Sequence, residues 1–259
     1  MIIKESAKVI SQTCLGEDIY SIWLETTIAN KANPGQFVSL YTKDRSKLLP
    51  RPISVCEIHK EENALRLVYR VTGEDTGTKQ FSCLAVGDQI EIMGPLGNGF
   101  EIEKGVQKKV LLVGGGIGIP PMLALAKELA GKAMVEMMMG YRSELFLTQE
   151  LEQYGALYFT TDDGSAGIKG HVLQGIKVLN LMPEVIYACG PTPMLKGIKK
   201  FALEKNVPCY LSMEEKMACG IGACLACVCP SKEPDDYSQG YTKRICKDGP
   251  VFLATEVEI

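Results

Sequence analysis

The sequence predicts an α+β multidomain chain: an N-terminal antiparallel β-barrel, an α/β unit built on a parallel sheet, and a small cysteine-rich tail. Three observations carry this. Residues 1 to about 103 hold short alternating or apolar runs divided by turn signals. From Lys109 onward, apolar strand-like runs alternate with helix-like stretches. Past Ser212, five of the ten cysteines crowd between Cys219 and Cys246. The 259 residues suffice for two ordinary domains and an appendix, and the boundaries expected are 1–103, 104–212 and 213–259.

In the first unit the runs are Ile19–Leu24, Phe37–Leu40, Leu65–Val71 and Gln89–Met93, with Asn33-Pro34-Gly35-Gln36 and Val86-Gly87-Asp88 as turns between them. Short strands at this spacing suit a small closed barrel. One short helix is expected at Gly77–Leu84.

The second unit opens with a buried-type strand at Lys109–Val113, a glycine loop, and a helix from Pro120 to about Ala130. Three strand–helix pairs follow: Val135–Met139 with Leu145–Tyr154, Leu157–Thr160 with His171–Leu179, and Val185–Ala188 with Pro193–Glu204. That alternation means a parallel sheet covered by helices on both faces. Met134 and the run Met137–Met139 are expected to fill its core.

The tail, rich in Cys and Gly and then polar from Ser231 to Arg244, ends in a possible strand at Val251–Val257. It is too short for a large core, so a metal centre is expected to hold it together. Cys219, Cys224 and Cys227 are spaced Cys-x4-Cys-x2-Cys, with Cys246 further on, which is the plant-type 2Fe-2S pattern. Gly220 and Gly222 let the loop fold tightly enough to aim N–H groups at sulfur. Structural zinc is the alternative, but zinc sites pair their cysteines as two knuckles. Cys229 fits no step of the pattern and reads as a small buried hydrophobe.

Composition narrows the function classes. A net charge of −3, no basic block and 7% aromatics give no reason to expect nucleic acid or an acidic membrane surface. Residues 1–8 carry Lys4, Glu5 and Lys8 without an apolar run, so no signal peptide is expected. No apolar stretch approaches the roughly 20 residues of a membrane span. A soluble, cytoplasmic chain with reduced thiols is expected.

Two constellations point to nucleotide cofactors. Arg51-Pro52-Ile53-Ser54 places an arginine able to grip a pyrophosphate three residues before a serine able to reach a flavin ring. Tyr69-Arg70-Val71 lies on the next strand, and Gly77-Thr78 opens a helix, a ready phosphate site. In the second unit, Gly114-Gly115-Gly116-Ile117-Gly118 precedes Pro120 and Pro121 at a helix start, so a pyrophosphate can approach the backbone. This is not the Rossmann fingerprint, because Ile119 takes the third glycine position. Cys189-Gly190-Pro191 ends a later strand, where open α/β sheets bind ligands, and Cys189 is a candidate neighbour of a nicotinamide. Arg142, Asp162 and Asp163 also follow strands and read as ordinary turn and surface residues.

Together these motifs resemble the ferredoxin–NADP reductase superfamily across the first two thirds of the chain. The tail, Met213 to Cys229 with Cys246-Lys247-Asp248-Gly249-Pro250-Val251-Phe252, resembles that of the electron-transfer subunits of NAD-dependent dihydroorotate dehydrogenase. The resemblance implies FAD in the barrel, NAD as substrate of the second unit, and a 2Fe-2S cluster on Cys219, Cys224, Cys227 and Cys246. It implies a catalytic partner carrying FMN in a two-plus-two heterotetramer of pyrimidine biosynthesis, with hydride passing directly between FAD and NAD and no catalytic acid or base. Two stretches depart from the pattern: Gly73–Thr78 is about a residue longer than the usual turn, and Cys227 to Cys246 is longer than in typical members. The competing expectations are a reductase serving a ferredoxin or an oxygenase, and a zinc-binding module without redox function.

Overall fold

The computed structural model describes residues 1–44, 46–235 and 239–259. The middle of the polar Ser231–Arg244 stretch therefore lies outside the described residues.

Six strands form the barrel: β1 (Ile3–Gly16), β2 (Ile19–Glu25), β3 (Phe37–Tyr41), β4 (Arg51–His59), β5 (Ala64–Arg70) and, after helix α1 (Gly77–Ser82), β6 (Gln89–Leu96). They close in the order β1-β2-β5-β4-β3-β6, all neighbours antiparallel. Alternation does the work: Ala7 and Val9, Ile22 and Leu24, Leu65 and Leu67, and Ile90 and Ile92 point into a common core. The longest strand, β1, has no counterpart among the expected runs. Its outward residues are polar or charged, such as Lys4, Ser6 and Lys8, so no apolar run marks it. Helix α1 is capped by Thr76, whose hydroxyl accepts from the Lys79 N–H at 3.2 Å.

The second unit contains β7 (Lys109–Gly115), α2 (Pro120–Leu129), β8 (Met134–Tyr141), α3 (Thr148–Leu151), β9 (Ala156–Thr161), β10 (Ile168–Lys169), α4 (Val172–Val178), β11 (Val185–Cys189), α5 (Thr192–Lys205) and β12 (Cys209–Ser212). The tail adds the hairpin β13 (Val228–Pro230) with β14 (Thr242–Arg244), and then β15 (Val251–Leu253). The large sheet runs β10-β9-β8-β7-β11-β12-β15, parallel except for β15, which pairs antiparallel with β12. The tail's last strand is thus hydrogen-bonded into the sheet of the second unit. The helix expected over Leu145–Tyr154 is cut to α3 and a 3-10 turn, because Leu147 is left-handed at φ 60° and blocks extension toward the N-terminus. Met137, Met138 and Met139 are fully buried as expected. Met134 is 66% exposed, since it is the first residue of β8, where the strand enters the sheet from the surface.

Polar contacts between the units include the following. Arg66 on β5 is buried, donating to Ser21 Oγ at 2.8 Å and Glu57 Oε1 at 2.7 Å, and it reaches Glu150 of α3 at 3.4 Å. The Asn98 amide donates to the Lys247 and Asp248 carbonyls at 3.1 and 3.0 Å, pinning the tail to the end of the barrel. No helix of the described residues is long and apolar enough to cross a membrane.

Candidate cofactor sites

A cleft of about 360 Å³ opens beside β4 and β5. Arg51, Pro52, Ile53 and Ser54 line it from β4, Tyr69 and Arg70 from β5, and Thr78 from the first turn of α1. Val71 instead turns into the barrel core. Gly77 does not line the cleft but makes room in it: a Cβ there would come within 2.9 Å of Arg51 Nε and 3.0 Å of its Cζ. Arg51 also donates to the Leu49 carbonyl. The Thr78 hydroxyl lies 3.1 Å from that of Thr76 and accepts from the Thr72 N–H at 3.4 Å. The Tyr69 hydroxyl donates to Gln12 at 3.2 Å, and burial raises its pKa, so it stays a neutral donor.

One wall of this cleft was not visible in the motifs. Ser212, Met213, Glu214, Glu215 and Met217, together with Pro250, close it from the tail side. Protein around the Glu214 carboxyl raises its pKa, although the residue keeps contact with solvent at the cleft mouth.

A second cleft, of about 510 Å³, lies across the carboxyl ends of β7, β8 and β9 and the starts of α4 and α5. Gly115, Gly116 and Pro191 line it. Gly114, Gly118 and Gly190 shape it from behind: a Cβ on Gly118 would strike the Cys189–Gly190 peptide, and one on Gly114 would meet Met139 Sδ at 2.6 Å. The Cys189 side chain is fully buried and does not line the cleft, and burial pushes its thiol far up. Arg142 and Asp162, read from sequence as surface residues, do line it. Their only signal was their place just after strands. Arg70 and Ile117 line both clefts, so the two spaces adjoin.

The cysteine loop sits on the barrel end. Gly220 at φ 70° and Gly222 at φ 84° take left-handed turns that an L-residue resists, and a Cβ on Gly220 would lie 3.2 Å from Ser39 Oγ. These turns direct backbone N–H groups to sulfur. Ile221 and Ala223 donate to Cys219 Sγ at 3.4 and 3.2 Å, Gly222 to Cys246 Sγ at 3.1 Å, and Cys246 to Cys227 Sγ at 3.4 Å. Burial opposes ionisation of Cys219, yet donors from Ile221, Cys224 and Ala223 bring its thiol down to about 6. For Cys246, burial and the neighbouring Cys227 push the thiol up to about 12. Among the described residues no three Cys, His, Asp or Glu side chains are grouped as a site for a single metal ion. Cys229 faces the core from β13, where burial raises it to about 11.

Comparison with known proteins bears on these sites. The family described as the iron-sulfur cluster binding domain of dihydroorotate dehydrogenase B matches residues 214–258, and the oxidoreductase FAD-binding domain matches residues 6–100. A protein of Listeria monocytogenes serotype 4a, the dihydroorotate dehydrogenase B (NAD(+)) electron transfer subunit, is 43% identical over 261 residues, 99% of this chain and all of its own. This chain belongs to that family.

As a dihydroorotate dehydrogenase B electron-transfer subunit it is a flavin and iron–sulfur oxidoreductase subunit with NAD as substrate. The same-named subunit of Caldanaerobacter subterraneus subsp. tengcongensis is 42% identical over 254 residues, 98% of each chain. Among solved structures, NADH-dependent reduced ferredoxin-NADP oxidoreductase superposes with a TM-score of 0.85 at 30% identity, over 97% of this chain and 89% of its own. The ferredoxin reductase of carbazole 1,9a-dioxygenase shares the fold, at a TM-score of 0.69 and 22% identity over 80% and 67% of the two chains. The donor sets fit the groups. The barrel cleft offers two arginines and hydroxyls for a flavin dinucleotide, and the loop with Cys246 offers four thiols, with N–H groups already aimed at sulfur.

Proposed function

We propose that this chain is the electron-transfer subunit through which an FMN-containing dihydroorotate dehydrogenase catalytic subunit reduces NAD+, in a heterotetramer of two copies of each. The observation that carries the reading is the adjacency of the clefts: Arg70 and Ile117 serve both, and the Ser212–Met217 segment that walls the first runs directly into Cys219.

Arg51 grips the pyrophosphate of FAD, with Gly77 giving it room and Thr78 adding a hydroxyl. Ser54 hydrogen-bonds the reactive edge of the flavin, with Pro52, Ile53 and Tyr69 beside it. Arg70 and Ile117 border both clefts and would keep the flavin and nicotinamide sites next to each other. Gly115, Gly116 and Pro191 admit the NAD backbone, while Gly114, Gly118, Cys189 and Gly190 keep the two loops in contact. Cys219, Cys224, Cys227 and Cys246 would hold the 2Fe-2S cluster through their thiolates. When bound, the two groups supply conversion between single electrons and the hydride exchanged with NAD+.

The test is reconstitution. Alone, the loaded chain oxidises NADH with artificial acceptors and leaves dihydroorotate untouched. Mixed with an FMN-containing dihydroorotate dehydrogenase subunit from the same organism, it forms a stable complex that reduces NAD+ with dihydroorotate. A pair that neither associates nor couples would hand the reading to a reductase serving a ferredoxin or an oxygenase.

A further inference from the structure

The turn that carries Cys246 is closed by one ion pair. Arg244 is the last residue of β14, and Asp248 follows Cys246 by two residues. The Asp248 carboxylate accepts from Arg244 Nε at 3.0 Å and Nη2 at 3.1 Å, and its Oδ2 also accepts from the Arg244 backbone N–H at 2.8 Å. The Arg244 carbonyl accepts in return from the Asp248 N–H at 2.7 Å and the Lys247 N–H at 3.1 Å. The two side chains are only 14% and 24% exposed, so water competes weakly for this fork. From the barrel, Asn98 holds the Lys247 and Asp248 carbonyls, so the turn is fixed on that side too.

The pair also reaches the cysteine loop. Arg244 Nη1 donates to the Gly222 carbonyl across 3.4 Å, a long hydrogen bond. That carbonyl belongs to the peptide joining Gly222 to Ala223, and the N–H of the same peptide donates to Cys219 Sγ at 3.2 Å. One peptide earlier, the Gly222 N–H donates to Cys246 Sγ at 3.1 Å. A peptide unit is planar, so a contact that fixes its oxygen also aims its N–H. The Lys247 stem packs over Gly222 as well, where an added Cβ would lie 2.7 Å from Lys247 Cδ.

Donors of this kind do more than hold a loop. Four thiolates make a 2Fe-2S centre negative, and reduction adds one more negative charge. N–H groups aimed at the sulfurs favour that added charge, and such hydrogen bonds are among the factors that set a cluster's potential. Arginine and aspartate together are neutral, so their bare charges largely cancel. What remains is the direction in which the pair holds the loop peptide.

We propose that the Arg244–Asp248 pair is a positioning device that raises the reduction potential of the cluster by fixing the Gly222–Ala223 peptide, and so eases the entry of each electron. The inference rests on Cys219 and Cys246 being cluster ligands.

A redox titration of the FAD- and cluster-loaded chain, followed by the paramagnetic resonance of the reduced cluster, tests this without turnover. Asp248→Ala decides by its sign. Removing a negative charge near the cluster would, by charge alone, make it easier to reduce. If the pair acts by aiming the peptide, the variant is harder to reduce, with the one-electron equilibrium displaced about tenfold, or about 59 mV, toward the oxidised form. Arg244→Lys keeps the charge but loses the planar fork, and is displaced about threefold or more in the same direction. A raised or native potential in Asp248→Ala overturns the proposal. So does a native potential in Arg244→Lys, which decides the matter if the alanine variant fails to hold iron. Iron and sulfide contents left native by Cys219→Ser and Cys246→Ser would instead remove the ligand assignment on which the proposal stands.

Discussion

A Cβ placed on Gly118 would lie 2.3 Å from the carbonyl oxygen of Cys189 and 2.6 Å from the nitrogen of Gly190. Both obstacles are backbone, so neither can rotate away. The glycine loop after β7 and the turn after β11 are therefore locked together by the absence of one methyl group. Gly118→Ala is expected to force the two loops apart, costing about 1–3 kcal/mol of stability as overpacked sites do. NADH affinity should fall while bound FAD stays at one per chain. Native NADH affinity in a folded variant would show that the loop contact does not shape the site.

The cluster loop makes a sharper prediction about identity. Replacing Cys219, Cys224, Cys227 or Cys246 with serine should abolish or badly weaken cluster binding and unfold the tail. Cys229→Ser should keep it, because that side chain faces the core from β13. Iron and acid-labile sulfide, about two of each per chain in the native protein, are the quantities to measure. Loss of iron in Cys229→Ser with retention in Cys227→Ser would reverse the assignment.

Arg51 and Ser54 line the same cleft yet should fail differently when changed. Arg51→Ala removes a charged contact and weakens FAD retention on the order of 1.5–3 kcal/mol, read as flavin lost on dialysis. Ser54→Ala keeps FAD but slows its reduction by NADH in stopped flow. Equal FAD affinity in the Arg51 variant would take that arginine out of the site.

Glu5 gives the barrel a pH dependence. Burial works against its ionisation, but the hydroxyls of Thr26 and Thr27 and the N–H groups of Thr27 and Ile28 hold its pKa below 4.5. Because the folded value is the lower one, the stabilisation is complete above pH 4.5 and is lost as pH falls through the folded pKa. Glu5→Gln should cost about 0.5–1 kcal/mol in urea unfolding at neutral pH, a figure reduced for solvent screening. The gap between variant and native protein should close in acid, and a gap that persists there would assign the cost to packing.

The sequence by itself determined the features whose chemistry is local. Cys219, Cys224 and Cys227 lie within nine residues, and a spacing that short dictates a loop whatever surrounds it. The same holds for the Gly114–Gly118 loop with Pro120 and Pro121, and for the strand–helix alternation of the second unit. Only the tertiary structure decided what depends on residues far apart in the chain. The strand β1 stayed hidden because its outward face is polar and its partners lie at Ile19–Glu25 and Gln89–Leu96. Arg142 and Asp162 read as surface residues until the register of β8 and β9 set them at one cleft rim. A spacing code survives in sequence because the chain connects its members directly, whereas a cleft is made by strand pairings whose cost and reward appear only when distant segments meet.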